Sequence, residues 1–139
     1  MVDFVFEDVS KFDLDFSQIT SWYTSIALQE NKELGELTLI FCSDDYLLDI
    51  NREHLNHDYF TDIITFDYSD FPIVSGDLFI SIDRVKENAV DFNVSFEHEL
   101  HRVIIHGFLH LCGYLDKSEE DELIMRSKEN QALNLIGFK

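Results

Sequence analysis

Apolar positions in this chain switch between a period of about two and a period of about 3.6, and the switches divide it into strands and helices. Val2 to Phe6 alternates and is rich in β-formers, so it reads as a strand. Ile19, Trp22, Tyr23, Ile26 and Ala27 share one helical face, which predicts a helix capped by Asp15 or Ser17 and running to about Asn31. Leu37–Cys42 is a second strand. Ser43 or Asp44 then opens a helix through Leu47, Leu48 and Ile50 to about Glu53. The β-branched and aromatic run Ile63–Tyr68 predicts a third strand. A fourth is expected over Gly76–Ile82, where Leu78, Ile80 and Ile82 alternate with Asp77, Phe79 and Ser81. Asp83 is the expected cap of a short helix carrying Val85, Ala89 and Val90.

The next helix differs from the others. It starts at Ser95, and from Leu100 to Leu111 it is apolar nearly all round, the pattern of a helix buried on every side. A last helix opens at Ser118, where Ser118 and Asp121 resemble a capping box and four acidic residues suit the positive end of the dipole; it ends near Gly137. The order of elements predicts an α+β fold. A mixed sheet of about four strands packs with helices around a buried central helix. The length of 139 residues fits one domain spanning 1–139, without repeats or an evident linker.

Composition narrows the function more than the fold. An apolar fraction of 45% with thirteen phenylalanines describes a packed globular chain rather than a disordered one. There is no apolar run of membrane-spanning length and no basic start resembling a signal peptide, so a cytoplasmic protein without membrane attachment is expected. Cys42 and Cys112 lack CxxC spacing and read as buried free thiols of a reducing compartment. Ten basic residues against twenty-eight acidic ones give a formal charge of −18. Non-specific nucleic-acid binding needs basic residues to displace phosphate counterions, so any nucleic-acid recognition here is local, or helped by a partner or a metal.

The buried helix carries the candidate chemistry. His106 and His110 lie four apart, about 40° around the axis from one another, so both imidazoles project from one face. Gly113 can end the helix in the left-handed conformation and let the chain return Asp116 toward the same point. Two nitrogens and one oxygen, with no obvious fourth ligand, form the donor set of a catalytic zinc site with an open position. Histidines in an apolar helix also serve as hydrogen-bonded core residues, and either role requires partners. Gly107 follows His106, so the glutamate base of an HExxH metalloprotease is missing. His101 is rotated about 140° from His106; it and His98 are expected at the surface or as supports of the ligands. Cys112 points away and is expected in the core. His54 and His57 fall in a polar loop.

The stretch HGFLHLCGYLD at residues 106–116 resembles the YbeY family of bacterial endoribonucleases and ribosomal RNA maturation factors, whose signature has the form HGxLHLxGYDH. Asn56–Phe66 is similar to the family's GxDxPTDVLSF segment and Gly76–Ser81 to its GDIxIS strand, a likeness extending over about residues 37–125. The resemblance implies a metal held by His106, His110 and Asp116, with Asp116 where the family has histidine. An anionic oxygen there leaves zinc less Lewis-acidic and moves preference slightly toward manganese or iron, while Lys117 offsets part of the added charge. The family's arginine before this segment, a clamp for phosphate, is Leu55 here. Arg52, one turn earlier, is the first substitute, with His54 and His57 as further candidates; Thr61, Asp62 and Thr65 match the family and are expected on the cleft wall.

The resemblance implies a single-strand-specific, zinc-dependent endoribonuclease with one metal per chain, active in ribosomal RNA maturation and ribosome quality control. Its partners would be ribosomal RNA, the small ribosomal subunit, and a ribosomal or assembly-factor protein that delivers the RNA to an acidic surface. Two other classes stay open. One is a ribosome-assembly scaffold with a structural metal and little catalysis, which the charge and the missing arginine favour. The other is a metallohydrolase of peptides or small molecules, for which the missing glutamate is a handicap.

Overall fold

Five short polar side chains set where the helices begin. In the computed structural model, which describes residues 1–138, Asp15, Ser43, Ser81, Ser95 and Ser118 each accept a backbone N–H three residues on. Each such cap satisfies a donor that the first turn leaves unpaired. The elements in chain order are β1 (Val2–Phe6), α1 (Phe16–Gln29), β2 (Glu33–Cys42), α2 (Asp44–His54), β3 (Ile63–Asp67), β4 (Ile73–Ser81), α3 (Ile82–Asp91), α4 (Phe96–Leu111) and α5 (Glu119–Leu135).

The four strands form one sheet in the order β1-β2-β4-β3, with β1, β2 and β4 parallel and β3 antiparallel at the edge. Alternation along the strands serves two faces. Leu37, Leu39, Phe41, Leu78 and Ile80 point into the main core, shared with Ile19, Tyr23 and Ile26 of α1 and with most of α4. Cys42 and Ile64 meet Leu47 of α2 in a smaller cluster on the opposite face, with Phe66 and Phe79 packed against it.

Helix α4 runs through the middle of the main core, as its pattern requires. Leu100, Val103, Ile104, Ile105, Phe108, Leu109 and Leu111 are all buried, each side chain contributing roughly 1.5–3 kcal/mol relative to exposure. Tyr23 stacks on Phe108 with ring centroids 4.2 Å apart and donates its hydroxyl to the Ile104 carbonyl at 2.8 Å, so the phenol is both packed and satisfied. A Cβ on Gly107 would lie 2.6 Å from Ile63 Cδ1 and 3.0 Å from Leu78 Cδ2. The absent side chain lets α4 lie directly on β3 and β4 between its two histidines.

The α+β class, the mixed sheet and the buried central helix agree with expectation, and four details do not. The third helix is capped by Ser81, not Asp83; Asp83 sits in the first turn and accepts the Asp44 N–H at 2.9 Å. β2 and β4 begin at Glu33 and Ile73, earlier than the alternating segments. Glu33 and Leu34 pair with Ile73 and Val74 across a register irregularity that side-chain alternation does not reveal. His101 is no surface residue. It is 6% exposed, packed against Trp22 and Phe138, because α1 and the segment after α5 cover that side of α4. His98 stacks on Phe138 rather than standing near the ligand candidates.

Candidate metal centre

The end of α4 assembles the site by local backbone geometry. Gly113 adopts φ +109°, with its N–H bonded to the His110 carbonyl and the Tyr114 N–H to that of Leu109, the paired bonds of a Schellman stop. The reversal turns the Tyr114 carbonyl back onto His110, whose Nδ1 lies 2.8 Å away, and returns Asp116 to the histidine face. From the far side α5 brings Glu129, whose Oε2 lies 2.6 Å from Nδ1 of His106.

Both Nδ1 atoms thus face acceptors. A ring with its single hydrogen at that position presents a bare lone pair at Nε2. The two Nε2 atoms are 3.0 Å apart, and Asp116 Oδ2 lies 3.2 Å from His110 Nε2 and 3.5 Å from that of His106. Three acceptors so close repel one another unless a cation sits among them. Zinc bonds of about 2.0–2.1 Å place tetrahedral ligands roughly 3.3–3.4 Å apart, close to the separations seen here. His106, His110 and Asp116 are therefore a group able to hold a metal ion.

Behind the histidines lies a buried ion network. Arg102, one turn before His106, forks onto Glu99 at 2.9 Å and 2.5 Å and reaches Glu129 at 3.4 Å and Asp62 at 3.7 Å. Burial alone would lower the Arg102 pKa, but Glu99, Glu129 and Asp62 outweigh it and hold the guanidinium charged. For Glu129 burial favours the neutral acid; the hydrogen bond and charge of His106, with Arg102 and Arg126, reverse this and keep its pKa below the ordinary value. Asp62 goes the other way. Its burial outweighs Arg102 and His106 and raises its carboxyl. The cavity in front, about 650 Å³, is lined by Arg102, His106, Asp116, Arg126 and Glu129, with Glu119 and Glu122 on the α5 side.

The chain matches the family model described as Endoribonuclease YbeY over residues 6–137. The chain belongs to the YbeY endoribonuclease family. A relative named Endoribonuclease YbeY from Flavobacterium psychrophilum is 53% identical over 142 residues, covering 100% of this chain and 99% of the relative. Another of that name from Phocaeicola vulgatus is 49% identical, covering 99% and 100%. The solution structure of a Thermotoga maritima protein superposes with a TM-score of 0.66 at 27% identity, covering 96% of this chain and 90% of that one. Family membership thus reaches well beyond residues 37–125, where the motif likeness lies.

The other sequence candidates do not join the histidines. Arg52 pairs with Asp58 at 2.5 Å and Asp49 at 3.9 Å, and does not line the metal-side cavity. His54 packs edge-on against Phe66 at 5.9 Å. His57, Thr61 and Thr65 line a separate recess of about 230 Å³ beside β3. Asp62 lies between, bonded to Asn88 at 3.3 Å and facing Arg102. Sequence reasoning missed Arg102, Arg126, Glu99 and Glu129. The available signal was Glu129 within the apolar stripe of Met125 and Ala132, since a carboxylate on a buried face needs a charged partner.

Proposed function

We propose that this chain is a metal-dependent endoribonuclease that cuts single-stranded RNA, with His106, His110 and Asp116 holding one zinc ion. The observation that carries the reading is the convergence of the two bare Nε2 lone pairs and Asp116 Oδ2, each imidazole fixed from behind by a separate acceptor. Metal-binding histidines are oriented by such partners. When bound, a divalent ion supplies Lewis acidity, lowering the pKa of a coordinated water and offsetting phosphate charge.

The chain's own residues do the rest. Glu129 and the Tyr114 carbonyl orient the two rings, and His106 itself, with Arg102 and Arg126, keeps Glu129 ionised. Arg126, 57% exposed at the cavity wall, offers donors to a phosphate, whereas the guanidinium of Arg102 is taken up by three carboxylates. Thr61 and Thr65 line the separate recess beside β3. The role of the family in ribosomal RNA maturation and ribosome quality control, in the cytoplasm, extends to this chain. A charge of −18 then calls for a ribosomal or assembly-factor protein that presents the RNA.

The same charge favours the second reading, an assembly scaffold on the small ribosomal subunit with a structural metal. Zinc content, together with cleavage of a single-stranded RNA by native and chelator-stripped protein, decides between them. One zinc per chain and cleavage that is lost on stripping and in His106→Ala or His110→Ala support the endoribonuclease. Undiminished cleavage by metal-free protein overturns the metal-dependent reading. Metal-loaded protein that binds the small subunit without cutting RNA is the scaffold's outcome.

A further inference from the structure

The recess beside β3 has a composition unlike that of the metal-side cavity. Its lining residues are Asn51, Leu55, His57, Tyr59, Thr61 and the β3 segment 63–65, with no lysine, arginine or carboxylate among them. In a chain of net charge −18 a neutral recess next to a phosphodiester-cutting centre is unsuited to phosphate but suited to an uncharged part of the same polymer. Its volume of about 230 Å³ falls below the 300–1,000 Å³ typical of pockets for drug-sized ligands, and suits a single ring system.

We infer that this recess is a subsite for one nucleobase of the RNA, stacked on Tyr59 and read at its edge by β3. The inference rests on the endoribonuclease reading. Tyr59 is 56% exposed, and its ring lies 5.1 Å from that of His57 at an interplanar angle of 23°, with the hydroxyl 3.0 Å from His57 Nδ1. The pair is a small stack held open to solvent. A base extends it without regard to sequence, since every base has a π face. The loop bearing it is anchored from below. Asn51, 1% exposed, donates to the Tyr59 carbonyl at 2.9 Å, and its own carbonyl accepts the N–H groups of Leu55 and His57. Half-exposed Leu55 adds apolar surface beside the rings.

Hydrogen-bonding capacity comes from the edge strand. Among the described residues β3 pairs only with β4, so alternate backbone groups on its outer side lack a strand partner and can meet a base edge, the Ile63 carbonyl being held only by the Thr61 hydroxyl at 3.5 Å. The recess is separate from the metal-side cavity but adjoins the helix that carries the histidines. Ile63 and Thr65, which line it, are also the β3 side chains nearest Gly107, the residue following His106. Asp62, between Thr61 and Ile63, faces Arg102 one turn before His106. A strand with a phosphate in front of His106 therefore has a neighbouring base within reach of Tyr59.

An abasic scan tests this with the full-length, metal-loaded protein. A fluorescent single-stranded oligoribonucleotide is made with one abasic site at successive positions around the cut, and binding and cleavage are measured for wild type, Tyr59→Ala and Tyr59→Phe. One abasic position should weaken wild-type binding about tenfold. Tyr59→Ala should lose a similar factor on intact RNA and be indifferent to that position, while Tyr59→Phe stays within about twofold of wild type. The side chain of Tyr59 is not what Asn51 holds, and an unchanged unfolding midpoint checks that Tyr59→Ala keeps the fold. Equal sensitivity of wild type and Tyr59→Ala at every position overturns the subsite but leaves the endoribonuclease reading intact. Failure of wild type to bind or cut any RNA overturns both. Displacement of intact RNA by an extended peptide, with no abasic effect, assigns the β3 edge to a protein partner and also overturns the subsite.

Discussion

Glu129 of α5 and His106 of α4 are 23 residues apart and share a hydrogen bond of 2.6 Å, with the Glu129 side chain 2% exposed. The contact joins the docking of the last helix to the orientation of a ligand candidate. Glu129→Gln keeps the shape but loses the charge that fixes the His106 tautomer and answers Arg102. Metal affinity should fall by about 10–100-fold, read by competition with a chromogenic chelator. Glu129→Ala also leaves Arg102 short of a buried partner, and should cost about 3 kcal/mol in urea unfolding of the metal-free protein. Equal metal affinity in Glu129→Gln and wild type would show that the contact holds α5 in place and nothing more.

Gly107 and Gly76 both pack against neighbours, and the obstacles differ in kind. At Gly107 a methyl meets the ends of Ile63 and Leu78, which can swing, and alanine recovers about 1 kcal/mol of helix propensity. At Gly76 a Cβ would lie 2.5 Å from the Phe66 carbonyl oxygen, part of the β3–β4 ladder, and only backbone movement relieves it. Gly107→Ala should therefore change stability by less than about 1 kcal/mol and Gly76→Ala should lower it by about 2–3 kcal/mol. Chemical denaturation of both variants checks the order.

Much of this arrangement was legible in the chain because local signals agreed with the fold. Ser95 and Ser118 cap where their motifs say, Gly113 stops α4, and the all-round apolar pattern of Leu100–Leu111 matches its burial. What escaped depends on long-range pairing. The early start of β4 needs Glu33 and Leu34 opposite Ile73 and Val74, and the burial of His101 needs Trp22 from α1 and Phe138 from the C-terminal end. The ion network behind His106 joins three separate segments through Asp62, Glu99 and Arg102, and Glu129. Only the Glu99–Arg102 spacing of three residues is visible locally.

Cys42 and Cys112 should behave as inert core thiols. Burial, reinforced at Cys42 by Asp8, Glu7, Asp44 and Asp83, pushes its pKa up to about 12. At Cys112 burial, with Glu30 and Asp67 opposed by Lys32, also gives about 12. An acid whose pKa is raised on folding favours the neutral form, so its contribution is complete below the unfolded thiol value of about 8.5 and declines as pH rises toward 12. Between about pH 8.5 and 10 unfolding free energy should drop by up to roughly 1.4 kcal/mol per pH unit for each thiol. Cys42→Ala and Cys112→Ala should each flatten the slope. Labelling by a disulfide reagent at pH 8 should keep pace with unfolding; rapid labelling of the folded protein would contradict the burial.

Arg126 is the cation of the metal-side cavity that retains open donors. It is 57% exposed and its ion-pair partner there, Glu129 at 3.6 Å, is already engaged by His106 and Arg102. Arg102 is only 14% exposed and held by three carboxylates, so a phosphate arriving at His106 meets Arg126 first. Arg126→Ala should raise KM for single-stranded RNA about tenfold while leaving kcat within about threefold, the signature of lost binding shared by ground and transition states. The slope of log affinity against log salt should shrink by about 0.7, the value of one phosphate contact on a single strand. Glu122→Gln, which removes a negative charge from the same cavity, should move KM the other way. An unchanged salt slope in Arg126→Ala would remove Arg126 from the phosphate path and direct attention to Arg52, whose guanidinium would first have to leave Asp58.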